Sequence, residues 1–152
     1  MPNLRTYLFY TWFRLSRPMT LGVRAFVENE AGAVLLVKHT YTKGWHLPGG
    51  GVERGEPVLE ALARELREEG GVDLLAEPAL CGIYSNHRIM RNDHVLLYRV
   101  AANQWQPCAS EHGGEIAEID WFQPDTLPPD ITPGNRRRFA ELYEGTAISR
   151  YW

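Results

Sequence analysis

At 152 residues, the chain is long enough for one domain with a proper core. Hydrophobic residues at 44% and charged residues at 23% are those of an ordinary soluble protein. A net charge of −3 argues against an electrostatic grip on a long nucleic acid, yet it suits a small, highly charged ligand carried with its own cations.

The chain begins MPNLRTYLFYTWFRLSRP. Its longest uncharged run, Thr6 to Phe13, is too short to span a bilayer, and no small-residue cleavage site follows it. Leu4, Leu8, Trp12 and Leu15 recur at helical spacing, with Arg5, Arg14 and Arg17 interspersed. Residues 1–18 are therefore expected to form an amphipathic helical extension, ahead of a single domain at 19–152. Two readings of that helix are open. It packs on the domain or on a second subunit, making a homodimer, or it lies in a membrane interface, which its aromatics and arginines favour. Cys81 and Cys108 are too few and too far apart for a zinc site or a disulfide framework. Both are expected to be reduced thiols in a cytoplasmic protein with no transmembrane span.

Thr20 to Glu28 and Ala33 to His39 are apolar runs separated by the turn Asn29-Glu30-Ala31-Gly32, a pattern that predicts a hairpin. Thr40 to Leu47 leads into Pro48 and the glycine run Gly49-Gly50-Gly51. Glycine favours tight turns and lets backbone approach a bound ion or phosphate. From about Pro57 to Glu69 the pattern turns helical, with Leu59, Leu62 and Leu66 on one stripe. Glu65, Glu68 and Glu69 converge on another, with Glu56 near the helix start. Like charges so placed destabilise an isolated helix by a few tenths of a kcal/mol per pair. A solvated acidic face is one explanation; a hard divalent cation held by the carboxylates is the other.

Ala79 to Asn86 and Asp93 to Ala101 read as strands joined by the basic connection Asn86 to Asn92, which carries His87, Arg88 and Arg91. Gln104 to Gly114 reads as a loop, Glu115 to Phe122 as a strand and Pro124 to Pro133 as extended chain. Asn135 to Glu144 reads as a last amphipathic helix, bringing Phe139, Leu142 and Tyr143 to the core. The five histidines show no paired metal spacing, and none is singled out for catalysis.

Gly50, five residues, Glu56, seven residues, then Arg64-Glu65-Leu66-Arg67-Glu68-Glu69-Gly70-Gly71-Val72 resembles a complete Nudix box. So many fixed positions at fixed spacing seldom arise by chance. Trp45, a spacer, Leu47 and Pro48-Gly49-Gly50 resemble the segment that precedes the box in that family. The resemblance covers roughly residues 20–145. It implies an α/β protein of Nudix fold, an α/β/α sandwich with a central mixed β-sheet. It also implies a pyrophosphohydrolase that directs water at phosphorus, using Mg2+ or Mn2+. Glu65, Glu68 and Glu69 would hold the metal with the Gly49 carbonyl, while Gly50, Glu56, Arg64 and Gly71 shape the box. Glu56 and Arg64 are expected to pair and orient the helix. The late segment EIAEIDWF resembles the family's site of a further catalytic or metal-bound carboxylate, placed at Glu115 with Glu118 second. The general base stays open among Glu115, Glu68, Glu69 and Glu118. Arg24, Arg88 and Arg91 are the expected substrate clamps. The expected partner is a small nucleotide-derived substrate, a nucleoside diphosphate linked to another moiety; the alternative is a nucleoside triphosphate. A non-catalytic nucleotide sensor is disfavoured because the box is intact. An isopentenyl diphosphate isomerase is disfavoured because neither cysteine lies in a recognisable motif. RNA decapping is disfavoured because a basic, aromatic strand-binding surface is not apparent.

Overall fold

The computed structural model describes residues 4–152. An N-terminal helix, α1 (Leu4–Ser16), precedes strands β1 (Thr20–Val27) and β2 (Val34–His39) and two short strands, β3 (Trp45–His46) and β4 (Gly49–Gly51). Helix α2 (Val58–Gly70) follows, then β5 (Val72–Leu74), β6 (Ala79–Ser85), β7 (Asp93–Val100), β8 (Trp105–Pro107), β9 (Ile116–Phe122) and helix α3 (Pro133–Tyr143).

The strands form a mixed four-stranded sheet in the order β4-β1-β7-β6, with β1 and β7 parallel, and an antiparallel sheet in the order β3-β2-β9. A small ladder joins β5 to β8. The expected hairpin is corrected here: β1 pairs with β4 and β7, and β2 with β3 and β9. The bridge Glu28↔Val34 and the bond from the Asn29 amide to the Ala33 carbonyl link their ends. The reason lies in burial. Val34–Val37 are all buried, as are Ala25–Val27, so both runs supply side chains to two apolar layers. The Asn29 side chain accepts from the backbone of Ala31 and Ala33 and carries the chain from one sheet to the other.

Alternation along each strand fills those layers. Val23, Ala25, Val27 and Leu35 face α2 through its Ala61, Leu62 and Leu66. Phe26, Val34 and Leu36 pack in a second cluster with Phe139 of α3, Trp45 and Leu47. The result is the expected α/β/α sandwich. Trp45 is buried against Phe122, which makes it a packing residue. α2 ends at Gly71, in the left-handed conformation that commonly closes helices. β8 falls where a loop was expected, and β5 and β8, of three residues each, are too short to show a period.

α1 stands apart from this packing. It is helical, and none of its residues is buried.

Candidate active site

The site forms where α2 lies against β4. Gly49 has φ +142°, and a Cβ there would sit 2.0 Å from the Val23 carbonyl oxygen. At Gly50 a Cβ would fall 2.5 Å from the Glu65 carboxylate. The glycines thus let the loop pair with β1 while the Glu65 side chain lies directly on its backbone.

Arg64 is the hub of the helix face. Its guanidinium grips both Glu56 oxygens, at 2.8 and 3.1 Å, the expected ion pair. It also donates to Glu65 at 2.8 Å, to Glu68 at 3.5 Å and to the Gly51 carbonyl at 3.1 Å. This arginine holds the Glu56 carboxyl below its usual range. Glu65 goes the other way: burial, with Glu69 and Glu68 nearby, pushes its carboxyl up despite Arg64. Glu69 accepts from His39 Nε2 at 2.8 Å and from the Gly49 amide at 3.0 Å.

His39 was not singled out in the sequence, and it is buried at the end of β2. A signal was present: His39 shares strand parity with Leu35, which faces α2, so a polar residue there points at the acidic helix. Tyr41 and His46 flank it, their rings 5.1 and 5.2 Å from the imidazole. Partial burial, then Glu69 and Glu115, hold the Tyr41 phenol above its usual range. Burial, then Arg24, push His46 down.

Glu115 reaches the same region, because its carbonyl accepts from the backbone of Thr40, next to His39. Glu118 instead pairs with Lys38 at 3.4 Å, across the β2–β9 ladder. Arg24 donates to the carbonyls of Leu47 and Gly49, at 2.8 and 2.9 Å. Two residues expected to meet substrate and metal are therefore bonded to each other. Among the described residues, neither Arg88 nor Arg91 bonds to Glu65, Glu68 or Glu69. Their turn precedes Asp93, which pairs with Thr20, two strand residues and so about 7 Å along β1 from the Gly22↔Gly51 pair. Arg88 instead stacks on Tyr151.

Among the described residues, no three His, Cys, Asp or Glu side chains yet converge as a closed metal cage. Glu65 and Glu68 turn to Arg64, and Glu69 turns to His39 and the loop. The donors are nonetheless carboxylate oxygens beside a backbone that leaves no room for a Cβ at Gly50. That set fits a hard divalent ion which keeps waters and substrate phosphates among its ligands.

An α/β sandwich that gathers carboxylates against a glycine loop is suited to an enzyme handling an anionic substrate together with cations. Residues 18–142 match the family described as the NUDIX domain, and the chain belongs to that family, whose hydrolases generally use divalent metal ions. It is a hydrolase of phosphoric anhydride bonds. A Bacillus subtilis relative named "Putative 8-oxo-dGTP diphosphatase" is 32% identical over 126 residues, 83% of this chain and 81% of the relative. The nucleoside triphosphatase NudI of Escherichia coli is 50% identical over 54 residues, 32% of this chain and 38% of NudI. Among solved structures, a MutT NUDIX hydrolase from Burkholderia pseudomallei superposes with a TM-score of 0.69 at 24% identity, covering 82% of this chain and 98% of that one.

Proposed function

We propose that the protein is a divalent-metal-dependent pyrophosphohydrolase of nucleotides, with Glu65, Glu68 and Glu69 as metal-holding carboxylates. The observation that carries this reading is the excess of carboxylate over cation on α2. Glu56, Glu65 and Glu68 share Arg64, while Glu69 has a histidine and one amide. Mg2+ or Mn2+ bound there would neutralise phosphate oxygens and lower the pKa of a bound water. His39 and the Gly49 amide fix the direction of Glu69. Arg64 orients Glu65 and anchors Glu56, as groups behind a ligand shell do. Arg24 props the loop carbonyls. Glu115, close enough to act on the Tyr41 phenol, is the candidate general base, and Glu118 is left to Lys38.

For the substrate, the names of the relatives favour the triphosphate alternative over a nucleoside diphosphate carrying another moiety. The test is a panel of nucleoside triphosphates, nucleotide sugars and dinucleotides with Mg2+ and with Mn2+, read by product identity. Release of nucleoside monophosphate and pyrophosphate from a triphosphate is expected. Turnover of nucleotide sugars alone would overturn the substrate class, and turnover without metal would overturn the site.

A further inference from the structure

Helix α1 and the β6–β7 turn (residues 86–92) meet at one end of the molecule. Ser16 and Arg17 line a cleft together with His87, Asn92 and His94, and the Thr20 amide donates to the Asn92 carbonyl. Both segments present apolar side chains to solvent. On α1, Leu4 is 73% exposed, Leu8 and Trp12 58% each and Leu15 77%; at the tip of the turn, Ile89 is 77% exposed. Both are also basic. They hold Arg5, Arg14, Arg17, Arg88 and Arg91, and neither contains an aspartate or glutamate. Asp93, which follows the turn, is buried and bonded to Thr20 and Asn86.

We propose that α1 and this turn form one docking surface for an anionic lipid bilayer. A helix of 13 residues is about 20 Å long, shorter than a bilayer core, so it lies in the interface rather than across it. On the helical wheel Leu4, Leu8, Trp12 and Leu15 share one stripe, with Arg5 at its edge, Arg14 and Tyr7 on the far side and Arg17 opposite, over the Phe13 ring. This places apolar groups toward the acyl boundary and arginines at headgroup level. Ile89 and Met90 between Arg88 and Arg91 repeat the arrangement on the turn.

Charge decides against the other occupants. A second copy docking by the same patch would bring together two sets of arginines with no acid in either segment, a juxtaposition that opposes association. Single-stranded nucleic acid would use the arginines and aromatics by stacking, but leaves Leu4, Leu8, Leu15 and Ile89 without a role. Anionic lipid satisfies both the charges and the aliphatic side chains.

Sedimentation of the full chain with vesicles of phosphatidylcholine, with and without phosphatidylglycerol, tests this. Binding is expected only with phosphatidylglycerol, and added salt should weaken it. Arg88→Ala with Arg91→Ala should reduce partitioning about thirtyfold, and Leu8→Glu with Trp12→Glu should abolish it. All four side chains lie outside the core, so unchanged thermal unfolding of the variants separates lost binding from lost fold. Equal binding to neutral vesicles, or none to either, overturns the proposal. So does a concentration-dependent dimer that Leu8→Glu with Trp12→Glu dissolves, or retention of a single-stranded oligonucleotide in place of vesicles.

Discussion

The charges on α2 and the charges around α3 are satisfied in different ways. Near α3, Glu141 takes Arg138 at 2.7 Å, the Tyr84 hydroxyl at 2.9 Å and the Ser149 amide at 2.9 Å. Arg138 is fully buried, lies over the Tyr84 ring and also donates to the Tyr151 carbonyl. Glu28 has Arg99 and the Tyr143 hydroxyl in the same manner, and burial together with these carboxylates pushes both phenols up. Glu141 and Glu28 thus each have several partners supplied by the chain, so the cluster locks the fold. On α2, by contrast, one guanidinium is spread over Glu56, Glu65 and Glu68. Charge left uncompensated by the protein is the basis of the cation site proposed there.

That contrast breaks most sharply at Glu68 and Glu69. Glu68→Gln and Glu69→Gln should each lower kcat by about a hundred- to ten-thousandfold, with little change in the unfolding temperature. Steady-state turnover of the preferred substrate reads the first quantity and calorimetry the second; near-normal kcat in both variants would reduce the acidic stripe to a solvated face. Arg138→Met inverts the pattern. It strands Glu141 in a site only 7% exposed, at about 3–5 kcal/mol, so urea unfolding should shift far while kcat per folded molecule holds. His39→Ala should lie between the two, since losing a group that orients a ligand typically costs about ten- to a hundredfold in affinity or activity. A Mn2+ titration of the variant would show it.

The acidic helix was legible because fixed spacing on a helix converts directly into one face, and a helix carries its own register. The Glu56–Arg64 pair and the packing of Trp45 were readable for the same local reason. What failed was non-local. Val34–Val37 and Ala25–Val27 are continuous apolar runs, and such runs do not say which strand is the neighbour. Strands β3, β4, β5 and β8 are two or three residues long and owe their extended form to the partner across the ladder. The turn carrying Arg88 and Arg91 was not placed in advance, because a basic turn has no address in the sequence. Only the folded chain reveals that it sits beside α1, with Arg88 stacked on Tyr151.

The smallest effect gives the finest test, because Glu56 and Glu65 share Arg64 yet titrate in opposite directions. The pair with Arg64 lowers the Glu56 carboxyl from its ordinary 4.5. The folded chain therefore binds this proton less readily than the unfolded one. Its stabilisation is fully present above pH 4.5 and is lost as pH falls through the lower folded value. Burial raises the Glu65 carboxyl from the same starting point. Its ionisation opposes folding, so stability associated with the neutral form is present below pH 4.5 and is lost as pH rises through the higher folded value. In metal-free buffer, Glu56→Gln should thus lower the unfolding temperature at neutral pH, with the gap to wild type closing in acid. Glu65→Gln should raise it at neutral pH, and that gap should also close in acid. Thermal melts of both variants from neutral pH down through the carboxylate range check the signs. Two shifts of the same sign would mean that Arg64 compensates Glu65 as fully as it does Glu56, and the contrast between α2 and α3 would lose its basis at that position.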